Sequence, residues 1–119
     1  MRRIMLRSKI HRATVTDANV QYEGSLGIDR DLLDAADMLP PERIQFVNLA
    51  TGDRAETYVI EEPPGSGTIC LNGAAARLGA PGDQIIIFAY CVLEDDQARR
   101  HKPIVLHVDA QNRIVREQS

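Results

Sequence analysis

Short stretches in which apolar and polar residues alternate dominate this chain, and they predict a protein built mainly from β-strands. Residues 10–16 alternate and are rich in β-branched side chains, which is typical of a strand. Residues 43–49 and 56–60 flank a Thr-Gly-Asp turn at residues 51–53, and this arrangement favours a hairpin. An almost continuous apolar run over residues 84–92 predicts a fully buried strand. Further strands are predicted over residues 68–71, 104–108 and 114–115.

Two short helices are predicted between these strands. Residues 29–36 begin with an acidic residue that can cap a helix, and they end before Pro40-Pro41, which cannot continue it. Residues 72–78 turn from a strand into a second short helix. The polar residues after Val115 are expected to fray. Six or so strands, two short helices and no internal repeat favour a small β-barrel over a helical or layered α/β fold.

The composition is that of a single soluble domain. The chain has 119 residues, of which 44% are hydrophobic and 26% are charged. A domain of this size has a modest core, so oligomerisation would add to its stability. Cys70 and Cys91 lack both CxxC spacing and a histidine cluster, and they are expected to be reduced, partly buried thiols and not a disulfide or a metal site.

Charge and hydropathy exclude several classes of partner. The net charge is −3 and no basic stripe carries interleaved aromatic residues, so nucleic acid is not an expected partner. No apolar run reaches the length of a membrane span, so a membrane is not an expected partner either. Basic residues near the N-terminus are not followed by the apolar region of a secretion signal, and a cytoplasmic location is expected.

Gly24-Ser25 is the candidate reactive pair. A serine hydroxyl is a weak nucleophile unless its surroundings assist it, and a preceding glycine opens backbone conformations closed to other residues. Attack of Ser25 Oγ on the Gly24 carbonyl would turn the amide into an ester. Elimination from that ester would leave a dehydroalanine, and its hydrolysis would give a pyruvoyl group at a new N-terminus. Turn statistics alone favour a structural role for a Gly-Ser pair, so the surrounding residues decide.

Several segments around this pair form an ordered pattern. Besides Tyr22-Glu23-Gly24-Ser25 and Ile28-Asp29, they are residues 5–16 (MLRSKIHRATVT), Gly52-Asp53-Arg54 with Thr57-Tyr58, residues 71–77 (LNGAAAR) and Pro81-Gly82-Asp83. In order and spacing, the chain from Met1 to about Val108 resembles the pyruvoyl-dependent aspartate 1-decarboxylases. The resemblance implies a double-psi β-barrel and a homotetramer. It also implies that the single 1–119 domain cuts itself between Gly24 and Ser25 into fragments 1–24 and 25–119.

The same resemblance implies the reaction and its cofactor. It implies decarboxylation of L-aspartate to β-alanine and carbon dioxide for pantothenate biosynthesis, through a Schiff base between the substrate and a pyruvoyl group made from Ser25. Neither pyridoxal phosphate nor a metal is expected. Whether a helper protein assists maturation is left open.

The resemblance also assigns roles to individual residues. Ser25 and Tyr58 are expected to be catalytic, with Tyr58 returning a proton to the α-carbon. Thr57 is expected to hydrogen-bond the oxyanion during self-processing, and His11 to accept the proton of Ser25, although a strand histidine is also often structural. The self-processing set is Gly24, Ser25, Thr57 and His11. The substrate-binding set is Lys9, Arg54, Thr57, Asn72, Gly73, Ala74 and Ala75.

Three residues of the substrate-binding set have simpler interpretations that stay open. Lys9 and Arg54 match the two carboxylates of aspartate, yet surface cations of this kind are usually only solvated. Asn72 precedes a predicted helix and is a suitable residue to cap it.

Two other functions are open on the residues alone. A self-cleaving hydrolase would keep Ser25 as its N-terminal nucleophile and would yield a 25–119 fragment with a free amine. A non-catalytic small β-barrel binding module would use Gly24-Ser25 as a turn and would remain uncut.

Overall fold

The computed structural model describes residues 1–118, and strands dominate it. The strands are β1 (Arg2–Thr14), β2 (Asp17–Asn19), β3 (Ser25–Asp29), β4 (Arg43–Asn48), β5 (Arg54–Glu62), β6 (Ile69–Asn72), β7 (Gln84–Glu94), β8 (Ile104–Val108) and β9 (Ile114–Gln118). The helices are α1 (Arg30–Ala35), α2 (Asp95–Arg100) and a 3₁₀ helix (Gly73–Leu78). The predicted mainly-β fold with short helices is confirmed. Within residues 1–118, no helix has the length and apolar character needed to cross a membrane.

The strands form one sheet that curls into a small barrel. Their order is β2-β6-β3-β5-β4-β7-β1-β8-β9. Only Val15 and Thr16 separate β1 from β2, and both stay bonded to neighbours: Val15 N donates to Asp83 O and Thr16 N to Ile69 O, each at 2.8 Å. In this order, the run from β2 to β1 begins and ends with two strands that follow each other directly in the chain. Its two ends are therefore joined through residues 15–16. Chain continuity, and not a ladder of hydrogen bonds, therefore closes the barrel.

Apolar side chains from alternate strand positions fill the barrel. Leu26 and Ile28 of β3 and Val59 of β5 are fully buried. These residues face one another across the parallel β3–β5 pair, in which Leu26 lies opposite Val59. The start of β3 is therefore held against β5 on one side and β6 on the other, and this fixes the position of Ser25.

The far end of β3 is anchored by Asp29, which is 4% exposed. Its carboxylate accepts backbone N–H groups from Asp31 at 2.8 Å, Gly65 at 3.0 Å and Gly67 at 2.8 Å. The first bond caps α1, as the sequence predicts, and the other two tie the 63–67 loop to the strand. Both ends of β3 are thus fixed by contacts that are distant in sequence.

The structure differs from the sequence-based prediction in the start of one strand and in three short elements. β1 begins at Arg2 and not at residue 10, because its pairing with β7 continues to that residue. β2, β3 and α2 were not predicted, since segments of three to six residues are too short to show a clear period.

Two predictions for the C-terminal half of the chain are wrong: the full burial of β7 and the fraying after Val115. β7 is not fully buried, because Tyr90 and Val92 in its second half are 37% and 59% exposed. An apolar run alone does not distinguish a strand covered on both faces from one that leaves a face open. The fraying predicted after Val115 is also wrong, since β9 pairs with β8 as far as Gln118.

Candidate active site

Ser25 lies where an exposed loop enters the barrel. Gly24 is exposed, whereas Ser25, the first residue of β3, is only 1% exposed. Ser25 Oγ donates a hydrogen bond to the Glu23 carbonyl oxygen at 3.3 Å and accepts one from Asn72 Nδ2 at 3.0 Å. The hydroxyl is therefore held inside the protein while the preceding peptide remains at the surface.

Asn72 is the side chain that holds this hydroxyl. It is 3% exposed and lies directly opposite Ser25 in the antiparallel β3–β6 pair. Although it precedes the 3₁₀ helix, its side chain caps no N–H group of that helix. Its Oδ1 instead accepts the Cys70 thiol at 3.1 Å, while its Nδ2 reaches Ser25. The interpretation of Asn72 as a helix cap alone is therefore wrong.

The backbone of Gly24 packs directly against Gly73. Its φ is +64°, a left-handed value that favours glycine. A Cβ on Gly73 would lie 2.7 Å from both the N and the Cα of Gly24 and 3.0 Å from the Tyr22 carbonyl oxygen. These distances are too short for any side chain, so the 22–24 segment crosses directly over a bare backbone.

Gly73→Ala is expected to slow the predicted cleavage at Gly24-Ser25 roughly 100-fold, because a shift of about 1 Å in a reacting group can cost that much. The rate is measured as loss of intact chain by mass spectrometry. Gly82→Ala is the matched control, since Gly82 is also left-handed (φ +98°) but a Cβ there meets nothing within 4 Å. Equal cleavage rates in the two variants would contradict the role given to this close contact.

Tyr58 and Thr57 lie beside the start of β3. The β3–β5 pairing begins with Leu26 opposite Val59, and Ser25 and Tyr58 each lie one residue before this first pair. Strand alternation directs Thr57 and Tyr58 to opposite faces of β5. Both are half-buried, and together with Arg43 they line a shallow cavity of about 580 Å³.

The two candidate substrate cations lie elsewhere on the barrel. The Arg54 guanidinium is 5.2 Å from the centroid of the Phe88 ring, and its Nη1 donates to Gln45 Oε1 at 3.3 Å. Lys9 on β1 lies directly opposite Phe88 on β7. Lys9 and Arg54 therefore share one outer region around Phe88. In the order of the sheet, β5, β4 and β7 separate β1, the strand of Lys9, from the strand of Ser25, whereas Arg54 is the first residue of β5, which is the neighbour of that strand.

His11 contacts another histidine. Its ring centroid is 5.3 Å from that of His107 on the parallel neighbour β8. Burial, followed by the nearby Lys9, His107 and Arg12, lowers the pKa of His11, so its imidazole is neutral at neutral pH. A neutral imidazole can accept a proton, but the Ser25 hydroxyl is bonded to Glu23 and Asn72. The role of His11 in processing stays a prediction.

The remaining candidates belong to the 3₁₀ helix that follows Asn72. Ala74 is exposed and Ala75 is buried, so one of the two faces solvent next to Gly73. Among the described residues, no three His, Cys, Asp or Glu side chains are grouped in a way that could hold a metal ion.

Cys70 is the residue near Ser25 that sequence reasoning missed. Cys70 and Cys91 are free and half-buried, as predicted, but Cys70 also contacts Asn72. A signal for this contact is present in the sequence, because residues two apart on a strand share one face.

Comparison with known proteins identifies close relatives. The aspartate decarboxylase family model matches residues 1–115, which include every candidate described above. The aspartate 1-decarboxylase of Heliobacterium modesticaldum is 60% identical over 97% of this chain and 87% of the relative. The aspartate 1-decarboxylase of Pelotomaculum thermopropionicum is 57% identical over 93% of this chain and 84% of the relative. That of Thermoanaerobacter pseudethanolicus is 53% identical over 97% of this chain and 98% of the relative.

Proposed function

Because this chain belongs to the aspartate decarboxylase family, we propose that it converts L-aspartate to β-alanine and carbon dioxide with a pyruvoyl group made from its own Ser25. The place of this reaction is pantothenate biosynthesis. The observation that carries the proposal is the pairing of an exposed Gly24 with a buried Ser25 whose Oγ is held by Asn72. A plain turn at Gly24-Ser25 would need neither the buried hydroxyl nor the bare Gly73 beneath it.

Self-processing begins with Ser25 as the nucleophile. Its Oγ attacks the Gly24 carbonyl carbon, its proton passes to the departing Ser25 nitrogen, and an ester replaces the amide. Thr57 donates a hydrogen bond to the oxyanion that forms at Gly24, an interaction typically worth about 3 kcal/mol. Loss of the Ser25 α-proton then breaks the Cβ–Oγ bond and releases fragment 1–24 with a free carboxylate. Water enters the remaining dehydroalanine, ammonia leaves, and a ketone remains at residue 25.

The residues around position 25 fit such a group. A pyruvoyl group is smaller than the serine it replaces, so the buried space of Ser25 is sufficient for it. Asn72 Nδ2 supplies a hydrogen-bond donor at this position. When formed, the pyruvoyl carbonyl supplies the electron sink for the carbanion left by carbon dioxide. Tyr58, which like Ser25 lies one residue before the first β3–β5 pair, returns the proton to the α-carbon.

Substrate binding requires cations for two carboxylates, and Lys9 and Arg54 fill this role. Gly73, Ala74 and Ala75 leave room beside Ser25 for the substrate backbone. Lys9 and Arg54 both lie at Phe88, and three strands separate the strand of Lys9 from that of Ser25 in the order of the sheet. The proposed active centre lies between subunits of a homotetramer, where the cations of one subunit would serve the Ser25 of another.

Exposed apolar side chains support this assembly. Ile4 on β1 and Val92 on β7 are 76% and 59% exposed, and they lie opposite each other in the strand pair. Together with Tyr90 they line a surface cavity of about 520 Å³. Exposed apolar side chains grouped in this way are typical of a protein–protein contact. The two free cysteines support a reducing location, the cytoplasm.

The mass of the intact protein tests this function. Purified protein, and protein recovered from a cell that supplies a maturation helper, should both contain fragments 1–24 and 25–119 after incubation. Borohydride reduction in the presence of L-aspartate should add the substrate to the 25–119 fragment. A 25–119 fragment with a free N-terminal amine would instead support a serine hydrolase. An uncut chain from both sources would support a binding module and contradict the proposal.

A further inference from the structure

Cys70 is the first member of a chain of hydrogen bonds that ends at the reactive hydroxyl. Cys70 and Asn72 are two residues apart on β6, so their side chains lie on the same face. The Cys70 thiol donates to Asn72 Oδ1 at 3.1 Å, and Asn72 Nδ2 donates to Ser25 Oγ at 3.0 Å. The carbonyl oxygen of the Asn72 amide therefore bonds Cys70, and its –NH₂ group bonds Ser25.

The surroundings of Cys70 keep its thiol a donor. Asp17 lies opposite Cys70 on β2, and Gly27 lies opposite it on β3. Because Gly27 has no side chain, the Glu62 carboxylate lies over it, 2.5 Å from where a Cβ would be. Burial and these two carboxylates, Asp17 and Glu62, raise the pKa of the Cys70 thiol, so it remains protonated at neutral pH.

A donor at this position determines the orientation of the Asn72 amide. A protonated thiol requires an acceptor, and the acceptor end of an amide is its carbonyl oxygen. The –NH₂ end must then face Ser25, where it leaves the hydroxyl proton directed to the Glu23 carbonyl oxygen. The reversed amide would present an acceptor to Ser25 and would draw the hydroxyl proton away from Glu23.

We propose that Cys70 is a positioning residue for the reactive centre, where its thiol selects the end of the Asn72 amide that faces residue 25. Cys70 thereby favours conversion of Ser25 to the pyruvoyl group without touching the reacting atoms. This inference rests on the proposed function, because it concerns the same site.

Substitutions at Cys70 test the donor directly. The measured quantity is the initial rate at which the pyruvoyl-ended 25–119 fragment accumulates, followed by intact mass. Cys70→Ala removes the donor and should lower this rate by about 3- to 10-fold, the usual worth of one neutral hydrogen bond. Cys70→Ser keeps a donor and should restore the rate to within about twofold of the original protein. Cys91→Ala removes the other half-buried thiol and should have no effect. Melting temperatures of all variants report on folding.

A double-mutant cycle separates positioning from a general structural effect. If Cys70 acts only through Asn72, Cys70→Ala should cause no further loss in an Asn72→Ala background. Losses that simply add in the double variant, or an unchanged rate in Cys70→Ala, would overturn the inference while the proposed function stands. An uncut original protein would instead overturn the proposed function, and the inference with it.

Discussion

Ser25→Ala is expected to yield a folded chain that is never cut after Gly24 and that produces no β-alanine from L-aspartate. The substitution removes Oγ, the only atom of residue 25 that can attack the Gly24 carbonyl. Without the cleavage no carbonyl forms at residue 25, so the loss of decarboxylation should be at least about 10⁶-fold, the lower end of enzymatic rate acceleration. Intact mass measures the cleavage, and chromatography of β-alanine measures turnover.

The fold itself should tolerate Ser25→Ala. A methyl group fits the buried space, and the cost is the hydrogen bond from Asn72 Nδ2, about 1–3 kcal/mol for a buried donor left without a partner. Ser8→Ala is the matched control, because Ser8 is also a fully buried serine and its Oγ has no hydrogen-bond partner among the described residues. Ser8→Ala should be cut and active. Appreciable decarboxylation by Ser25→Ala would overturn the pyruvoyl mechanism.

Tyr58→Phe is expected to cut itself normally and to lose turnover. Phenylalanine keeps the ring that lines the cavity shared with Thr57 and Arg43 but lacks the hydroxyl proposed to return a proton to the α-carbon. A positioned proton donor contributes about 10²- to 10⁴-fold, so kcat should fall by that factor. The measurement is β-alanine formed per pyruvoyl-ended chain, which separates turnover from processing.

Tyr90→Phe is the control for loss of a tyrosine hydroxyl. Tyr90 lies on β7, and its hydroxyl donates to Gln45 Oε1 at 3.1 Å. Its substitution should leave the yield of pyruvoyl-ended chain unchanged and should lower kcat far less than Tyr58→Phe does, because Gln45 Oε1 keeps its bond from Arg54. If Tyr58→Phe also turns over at the original rate, another acid protonates the carbanion, and Tyr58 only shapes the cavity.

Local signals in the sequence predict several elements correctly. The helix α1 is predicted from Asp29 as its cap and from the prolines that follow it, and the structure contains both the helix and the capping bond. The β4–β5 hairpin is predicted from the turn residues between two alternating segments, and the two strands pair as expected. These features depend on residues close together in the chain, so the sequence displays them directly.

Other features depend on contacts that no local pattern shows. β3 was not predicted, because a five-residue segment after Gly24 has no clear period, and its neighbours β5 and β6 create it. The second half of β7 was predicted to be buried, but its exposed face depends on which elements cover it. Asn72 and Ser25 are 47 residues apart, and only the pairing of β3 with β6 brings their side chains together.

The sequence by itself determined the chemistry of this protein: a glycine before a candidate nucleophile, the residues that match one decarboxylase family, and a mainly-β chain. Only the tertiary structure decided that Ser25 is buried while Gly24 is exposed, that Gly73 lies beneath Gly24, and that Cys70 is bonded to Asn72. The physical reason is that side-chain chemistry and short-range backbone preference belong to neighbouring residues. Burial and strand register, in contrast, are set by the whole barrel when it closes around its core.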